Sequence, residues 1–423
     1  MDEKGLSEEE ILAELSFFSE SDTNFRKVLS SMCTVPHPIA VMAYHQFIHS
    51  NIGDPGLFQG TAEMERKVIE ATADFLNHSD SATAVGHLTS GGTESNIEAV
   101  FHMKNRFMAF QNQDDQDDSK SSKFSESNKM NLILPKTAHF SFKKVANLLD
   151  VELRKADIDS QSRVIPKSAA SLIDENTIGL IGIAGNTEFG ACDPIEELSE
   201  IALKHQLPLH IDAAFGGFVY PFLDSSRACS GAKFGFDLQG VTSVSIDPHK
   251  MGLSVIPAGI LVFRDESFLD LSLDKIKVKT PYLTSKYQST LTGTRPGAAV
   301  AAAYAVMKHL GKDGYRKNVA YCMDLTDYFQ TELEKIGLKP YSEPQINIVT
   351  VDIAAGLNKE AAREKTEKIR SQLFEKYGWN VSAAKTIPVL RFVLMPHVTK
   401  EDAFGVISDL KKLLDDETSS SSS

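Results

Sequence analysis

A lysine at the end of a predicted strand is the residue best placed for covalent chemistry. The run Ser245-Ile246-Asp247-Pro248-His249-Lys250 leads out of an apolar strand and breaks at Pro248. Open α/β sheets bind ligands at the carboxyl edge, where this strand ends. Its apolar flanks predict that Lys250 is partly desolvated, which lowers the pKa of the amine and favours the neutral form needed for Schiff-base chemistry. A surface lysine after a strand is the simpler interpretation of Lys250 taken alone.

A second apolar strand ends in an aspartate. Asp212 closes the run that begins at Leu207 and is followed by Ala213-Ala214-Phe215-Gly216-Gly217. Small residues there leave room for a flat ring against the backbone. If the ring is a pyridine, Asp212 can hold its nitrogen protonated, as pyridoxal phosphate requires to act as an electron sink. A helix N-cap is an equally good interpretation of Asp212 alone.

A glycine-rich turn opens a helical pattern earlier in the chain. Ser90-Gly91-Gly92-Thr93 precedes apolar residues at helical spacing, and backbone N–H groups at a helix N-terminus beside hydroxyls suit a phosphate. The turn is neither a Walker loop nor a G-x-G-x-x-G fingerprint, and an ordinary loop and cap would have the same composition.

Two further groups complete a possible ring site. His139 follows a predicted strand and could stack on a ring opposite Ala214, although a lone histidine is more often structural. Asn186 and Thr187 end another strand and could reach a ring hydroxyl or a phosphate, or simply form a turn. No equally economical structural account explains the anion turn, the histidine, the aspartate and the lysine together.

The elements that must position these residues alternate between strands and helices. The predicted strands are Asn131–Leu134, Ile178–Ile183, Leu207–Ile211, Val241–Ile246 and Ile260–Phe263. Their near-continuous apolar character predicts an α/β domain with a mainly parallel sheet covered on both faces. We expect an N-terminal segment (1–60), a large domain (61–311) with a mobile polar insertion (111–129), a small α+β domain (312–414) and a disordered tail (415–423).

Composition limits the partners of the chain. Its 423 residues carry a formal net charge of −13 without a strongly basic block, which argues against nucleic-acid binding. The longest strongly apolar run, Val255–Phe263, is about half the ~20 residues of a membrane span. Four separated cysteines suggest neither a zinc site nor a disulfide framework, and the acidic start is unlike a signal peptide, so we expect a cytoplasmic protein without a metal.

These segments resemble the pyridoxal phosphate-dependent group II decarboxylases of fold type I, and among them the archaeal L-tyrosine/L-aspartate decarboxylase family. Runs beginning at Leu29 and Asn51, and the run Leu390–His397, extend the similarity over nearly the whole chain. The resemblance implies pyridoxal 5'-phosphate as cofactor, a mainly parallel central sheet with a smaller α+β C-terminal domain, and a homodimer with shared active sites.

The resemblance also implies roles for matching residues. Lys250 corresponds to the Schiff-base lysine, Asp212 to the partner of the pyridine nitrogen and His139 to the stacking residue. The expected cofactor-binding positions also include Gly92, Thr93, Asn186, Thr187, Ala214 and His249, and, on a loop near the neighbouring subunit's phosphate, Gly293 and Thr294.

Substrate-side roles are implied at three positions. Tyr282 lies in a run that looks like the mobile loop whose tyrosine donates a proton after carbon dioxide leaves; a hydrophobic anchor is the alternative. Arg391 falls where related enzymes place an arginine for the substrate carboxylate, although a surface ion pair would also fit. His37 is the second expected substrate-binding residue.

The implied activity is decarboxylation of an L-amino acid. Candidate reactions are L-tyrosine to tyramine, for methanofuran, and L-aspartate to β-alanine, for coenzyme A, and the sequence does not choose between them. Two alternatives stay open: a carbon-carbon aldehyde-lyase of the sphingosine-phosphate lyase type, and a catalytically silent relative that keeps the fold.

Overall fold

The computed structural model describes residues 3–114, 129–270 and 272–420. Within these ranges the α-helices are α1 Glu8–Ser21, α2 Pro38–Gln46, α3 Gln59–Phe75, α4 Gly92–Asp114, α5 Ser141–Leu149, α6 Pro166–Ser171, α7 Ile195–Lys204, α8 Gly297–Lys335, α9 Lys359–Tyr377 and α10 Lys400–Ser420. The strands of the same ranges are β1 Val85–Thr89, β2 Asn131–Pro135, β3 Glu152–Ala156, β4 Thr177–Ile183, β5 Leu209–Asp212, β6 Val241–Ile246, β7 Gly259–Phe263, β8 Val278–Lys279, β9 Tyr287–Gln288, β10 Ile348–Val351, β11 Ser382–Ala383 and β12 Leu390–Val393.

The described residues form a seven-stranded sheet in the order β1-β7-β6-β5-β4-β2-β3. Pairs among β3, β2, β4, β5 and β6 are parallel, whereas β7 runs antiparallel to both β1 and β6. The carboxyl ends of β1, β2, β4, β5 and β6 therefore meet at one edge. This confirms the predicted α/β fold of type I with a mainly parallel sheet.

Burial of the central strands explains why they lack an alternating pattern. Every residue of β4, β5 and β7 is buried. One face packs with Met103 of α4 and Phe142 of α5, and the other with Leu198 of α7 and Phe218. A sheet covered on both faces needs apolar residues at consecutive positions, as the sequence predicted.

The C-terminal part of the chain has a smaller sheet and a separate core. Strands β10, β12 and β11 pair antiparallel, and Phe329, Phe392 and Leu410 pack together there. Helix α8 spans 39 residues, but Gly311 interrupts it with a φ of +56°. That break lies at the predicted domain boundary of 311/312, and we retain the division into a large and a small domain as a proposal.

The structure shows helix in part of each of the two segments predicted to be mobile or disordered. Of the expected insertion 111–129, residues 115–128 lie outside the described residues, and 111–114 complete α4. The expected tail starts too early, because α10 continues through 415–420 as helix. Residues 421–423 also lie outside the described ranges.

Helix α1 makes little contact with the rest of the chain. Ser7 and Glu10 form a reciprocal capping box at its start, and no residue of the helix is buried. Its apolar side chains, including Leu15, Phe17 and Phe18, are exposed. Among the helices described, none is both long and apolar enough to cross a bilayer.

Candidate active site

The predicted chemical residues meet in a cavity of about 310 Å³ at the carboxyl edge of the large sheet. It lies where β1, β2, β4, β5 and β6 end, as expected for an open α/β fold. The cavity wall is formed by Ser90, Gly91, Gly92, Thr93, Asn96, Thr137, His139, Ile183, Gly185, Thr187, Asp212, Ala214, Phe215, Asp247, His249 and Lys250. The sequence had predicted half of these.

Lys250 is charged and paired in this structure. Its Nζ lies 2.9 Å from Oδ2 of Asp247, three residues earlier on the same turn. Burial alone would lower the pKa of Lys250, but the ion pair with Asp247 and the charge of Asp212 outweigh it and raise the pKa above its usual value. The prediction of a lowered pKa was therefore wrong, because a buried carboxylate offsets the desolvation.

Asp212 is held at the cavity wall by donors from two directions. The backbone N–H of Ala214 donates to its Oδ1 at 3.1 Å, and Nδ2 of Asn96 donates to its Oδ2 at 2.9 Å. Both oxygens thus have fixed partners, and the carboxylate faces the cavity between β5 and α4. This geometry suits a partner for a protonated ring nitrogen.

The glycine-rich turn becomes the N-terminus of α4. Gly91 adopts a φ of +149°, which residues with a Cβ rarely reach. A Cβ on Gly92 would lie 3.2 Å from both Cβ of Ala214 and Oδ2 of Asp247, so the turn approaches the strand ends closely. The first N–H groups of α4 and the hydroxyl of Thr93 are consequently available to an anion, as predicted.

Two imidazoles face the cavity with defined tautomers. Nδ1 of His139 accepts the Ser141 N–H at 3.2 Å, and burial lowers the pKa of His139, against the opposing charge of Asp212, so its ring is neutral at pH 7. Nδ1 of His249 bonds to the carbonyl of Ala258, which only accepts, so that nitrogen carries the proton. Both histidines lie where the sequence predicted.

Arg391 lines a second cavity of about 450 Å³, which shares Thr137, His139 and Thr187 with the first. Its Nη1 donates to the Ser30 carbonyl at 3.0 Å and to Oγ of Ser382 at 2.8 Å. Among the described residues, Nε and Nη2 are buried and have no hydrogen-bond partner. Burial, partly opposed by Glu188, lowers the pKa of Arg391 to about 10, and the side chain stays charged at pH 7.

Two predicted ligand residues serve the backbone instead. Asn186 does not line the cavity, because its Nδ2 donates to the Ser162 carbonyl and its Oδ1 accepts the Phe189 N–H. His37 lines neither cavity and caps α2, with Nδ1 accepting the Ile39 N–H at 3.2 Å. Within one chain, neither side chain has the predicted ligand role.

Three other predicted residues lie on the surface of the chain. Tyr282, between β8 and β9, is 85% exposed. Gly293 and Thr294 are also exposed, and the Gly293 carbonyl accepts from Nε2 of Gln288 at 2.7 Å. None of the three lines the cavity of its own chain.

Sequence reasoning missed Asn96 and Asp247 as site residues. Asp247 lies in the run that ends at Lys250, and Asn96 lies three residues after Thr93, but only their neighbours were assigned roles. An acid three residues before a lysine on a turn was the available signal for Asp247. The contact of Asn96 with Asp212 joins positions 116 apart in sequence, and no local pattern predicts it.

The donor set fits one kind of group. A helix N-terminus suits a phosphate, Asp212 suits a ring nitrogen, and Lys250 can bind an aldehyde carbon. Among the described residues, no group of three or more His, Cys, Asp or Glu side chains is placed to hold a metal. The fold and cavity therefore define a pyridoxal phosphate-dependent enzyme of fold type I.

Comparisons with known proteins narrow the class. Residues 58–344 match the pyridoxal-dependent decarboxylase conserved domain. A probable L-tyrosine/L-aspartate decarboxylase of Methanosarcina acetivorans is 49% identical over 98% of this chain and 99% of its own. A probable L-aspartate decarboxylase of Archaeoglobus fulgidus is 42% identical over 96% of this chain and 99% of its own.

A solved structure shares the fold. Lactobacillus brevis glutamate decarboxylase superimposes with a TM-score of 0.84 at 20% identity, over 98% of this chain and 94% of that one. The chain belongs to the pyridoxal-dependent decarboxylase family. It is a carboxy-lyase that uses pyridoxal phosphate, which confirms the predicted enzyme class and cofactor.

Proposed function

We propose that the protein removes the α-carboxylate of L-aspartate, giving β-alanine for coenzyme A synthesis, or of L-tyrosine, giving tyramine for methanofuran synthesis. Both substrates stand in the name of the Methanosarcina acetivorans relative, and aspartate alone in that of the Archaeoglobus fulgidus relative. The observation that carries the proposal is the buried Arg391 beside the cofactor cavity, because two of its three guanidinium nitrogens have no hydrogen-bond partner among the described residues. An arginine fork with two free donors matches a carboxylate.

The predicted residues of the cavity have separate proposed tasks. Bound pyridoxal phosphate supplies an electron sink for the pair left at the substrate carbon when carbon dioxide departs. Lys250 would bind the aldehyde carbon covalently, and its ion pair with Asp247 would have to break for the amine to react. His139 would cover one ring face opposite Ala214, and Asp212 would hold the proton on the ring nitrogen.

The phosphate end relies on backbone groups. The first N–H groups of α4 would donate to the phosphate, with the hydroxyl of Thr93 beside them. Thr187 and His249 complete the wall, and Nε2 of His249 is the nitrogen left without a carbonyl partner. Most of the proposed phosphate contacts are therefore made by backbone groups and do not depend on side-chain charge.

The charge of the second cavity favours the acidic substrate. Lys136, Lys143, Lys155, Lys385 and Arg391 line it, against the single carboxylate of Glu188. Lys136 is neutralised by Asp157, but an excess of positive charge remains. Apolar groups such as Phe140 and Phe142 line the same cavity and would suit tyrosine.

The direct test is carbon dioxide release from L-aspartate and L-tyrosine side by side, on cofactor-loaded protein, with amine products identified by mass. We expect β-alanine at the higher kcat/KM. An aldehyde product would instead support the aldehyde-lyase alternative, which the family match disfavours. No turnover of any amino acid by fully loaded protein would support the silent alternative.

We further propose a cytoplasmic homodimer in which the neighbouring subunit completes each site. Exposed apolar side chains on α1, and Val41 and Met42 on α2, offer a surface for a second copy. Gly293, Thr294 and Tyr282 are exposed on their own chain, and they would act in the partner's site. The four cysteines are free, as is usual in a reducing compartment.

Mixed dimers test the shared site. Lys250→Ala lacks the covalent anchor, and Tyr282→Phe lacks the proposed proton donor. If Tyr282 acts across the interface, co-expression of the two variants restores activity, because one site of the mixed dimer has both intact residues. If Tyr282 acts within its own chain, or not at all, the mixture is no more active than the two separate variants.

A further inference from the structure

Behind Asp212 lies a chain of buried polar groups that no proposed role has yet used. Nδ1 of His210 is 2.8 Å from Oγ of Ser243, and Nε2 of His210 is 3.0 Å from Oδ1 of Asn96. Nδ2 of Asn96 then donates to Oδ2 of Asp212 at 2.9 Å. We call Ser243, His210, Asn96 and Asp212 the polar chain; every member is less than one-tenth exposed.

The position of every proton in the polar chain follows from the carboxylate of Asp212 at one end and from the charge state of His210. A carboxylate oxygen only accepts, so the Asn96 atom facing Asp212 is the amide nitrogen, and the other is the carbonyl oxygen. That oxygen only accepts, so Nε2 of His210 carries a proton and donates to it. Burial lowers the pKa of His210 to about 4, so the ring is neutral and Nδ1 accepts from Ser243.

The residues of the polar chain lie on two neighbouring strands and on the helix that packs against them. His210 and Asp212 are two apart on β5, and alternate residues of a strand point to the same side. Asn96 lies in the second turn of α4, the helix whose N-terminus forms the anion turn, and packs over β5. Its Oδ1 also accepts from Oγ of Ser245 at 3.2 Å, and its Nδ2 contacts Oγ of Ser141 at 3.1 Å.

We propose that Asn96 is a positioning residue for the reaction: it aims the Asp212 carboxylate at the ring nitrogen of the cofactor and, backed by His210, supplies the donor that favours the ionised carboxylate. This inference rests on the proposed role of Asp212. A neutral, fully ordered chain delivers an N–H to Asp212 without adding a positive charge that would compete with a protonated ring. The same helix thus orients both ends of the cofactor.

The test compares two asparagines of α4. Asn96→Leu removes the donor to Asp212 and keeps a side chain of similar size. Asn105→Leu is the matched control, because Asn105 is also buried in α4, its Nδ2 donates to the Phe101 carbonyl, and it does not line the cavity. Each variant is loaded with pyridoxal phosphate labelled with ¹⁵N in the ring, and the nitrogen resonance is recorded at one fixed pH.

We expect Asn96→Leu to move the nitrogen resonance toward the unprotonated position and to lower kcat about 10- to 100-fold, the effect of one lost hydrogen bond to a charged group, with little change in KM. Asn105→Leu should leave the resonance and kcat as in the unmodified protein even where its melting temperature falls. Asn96→Ala, which leaves room for a water to donate, should shift both quantities in the same direction by less, and serves if the leucine variant does not fold.

An unmoved resonance with unchanged kcat in a folded Asn96 variant would overturn the inference and leave Asn96 as a structural residue. Asp212→Ala separates this failure from that of the proposed function. If Asp212→Ala loses ring protonation and turnover while the Asn96 variants keep both, only the role of Asn96 fails. If Asp212→Ala itself keeps both, the proposed role of Asp212 fails, and the inference fails with it.

Discussion

Replacement of Arg391 by methionine tests the proposed substrate contact most directly. In the described part of the chain, Nε and Nη2 of Arg391 are buried without hydrogen-bond partners, and together they form one edge of the planar guanidinium group. A hydrogen bond to a charged group contributes about 1.5–3 kcal/mol. Loss of these two hydrogen bonds, together about 3–6 kcal/mol, should raise KM roughly 10²- to 10⁴-fold, because the substrate carboxylate would lose its counter-charge while the cofactor cavity is untouched.

The assay is initial-rate carbon dioxide release with saturating cofactor, with L-aspartate and L-tyrosine as substrates. Arg391→Lys keeps the charge but loses the planar fork, and an intermediate KM is expected. Tyramine, which lacks the α-carboxylate, is the informative inhibitor: its inhibition constant should be the same in the unmodified protein and in Arg391→Met. A KM that stays unchanged in Arg391→Met would refute the assignment.

Arg264 provides the matched control for Arg391. Its three guanidinium nitrogens donate to the carbonyls of Val241, Phe236 and Leu238, at 2.9, 3.1 and 2.6 Å, and it lines neither cavity. Arg264→Met should therefore lower the melting temperature without changing KM. A rise in KM in both variants would mean that lost stability, rather than a lost contact, explains the result.

Three other predictions concern the cofactor and the core. Lys250→Ala should abolish turnover and the cofactor mass adduct that borohydride reduction leaves on the unmodified protein, whereas Lys233→Ala, on the surface beside Glu196, should keep both. Gly92→Ala should weaken cofactor binding roughly 10-fold by equilibrium titration, since overpacking costs about 1–3 kcal/mol and the new Cβ lies 3.2 Å from two neighbours; Gly60→Ala, with nothing within 4 Å, should bind normally. Because burial lowers the pKa of His210 to about 4, the unfolded chain takes up a proton that the folded protein does not, and stability falls as pH drops from about 6.5 to about 4. Urea unfolding measured at several pH values in that window should show that the free energy of unfolding falls less steeply with decreasing pH in His210→Gln than in the unmodified protein. An equal dependence on pH in both proteins would assign the acid sensitivity to other groups.

The predictable part of the site follows from strand ends. Asp212 and Lys250 each close an apolar run, and parallel strands bring such ends to one edge whatever the loops between them do. The same reasoning placed His139 after β2 and Thr93 at the start of α4. These positions depend on a local sequence pattern and on one rule of sheet architecture, so they can be predicted from a single sequence.

The unpredictable part depends on contacts between distant segments. The raised pKa of Lys250 could not be predicted, because it depends on the contact of the Asp247 side chain with the amine. The apolar residues that flank Lys250 in sequence do not indicate that contact. Asn186 is a residue type that often binds ligands, yet its amide oxygen accepts the Phe189 N–H and its amide nitrogen donates to the carbonyl of Ser162, 24 residues earlier. Burial can be predicted from periodicity, but the partner of a buried polar group depends on tertiary packing.

The two ends of the cavity differ in how they are built, and they should differ in how they tolerate change. At the phosphate end the proposed donors are mainly backbone N–H groups of α4, which side-chain substitution does not remove, so Gly91 and Gly92 matter there through the space they leave. At the ring end the contacts are side chains, and Asp212 is itself held by Asn96. Glycine substitutions should therefore weaken cofactor binding, whereas changes along the polar chain should leave the cofactor bound and slow the chemistry.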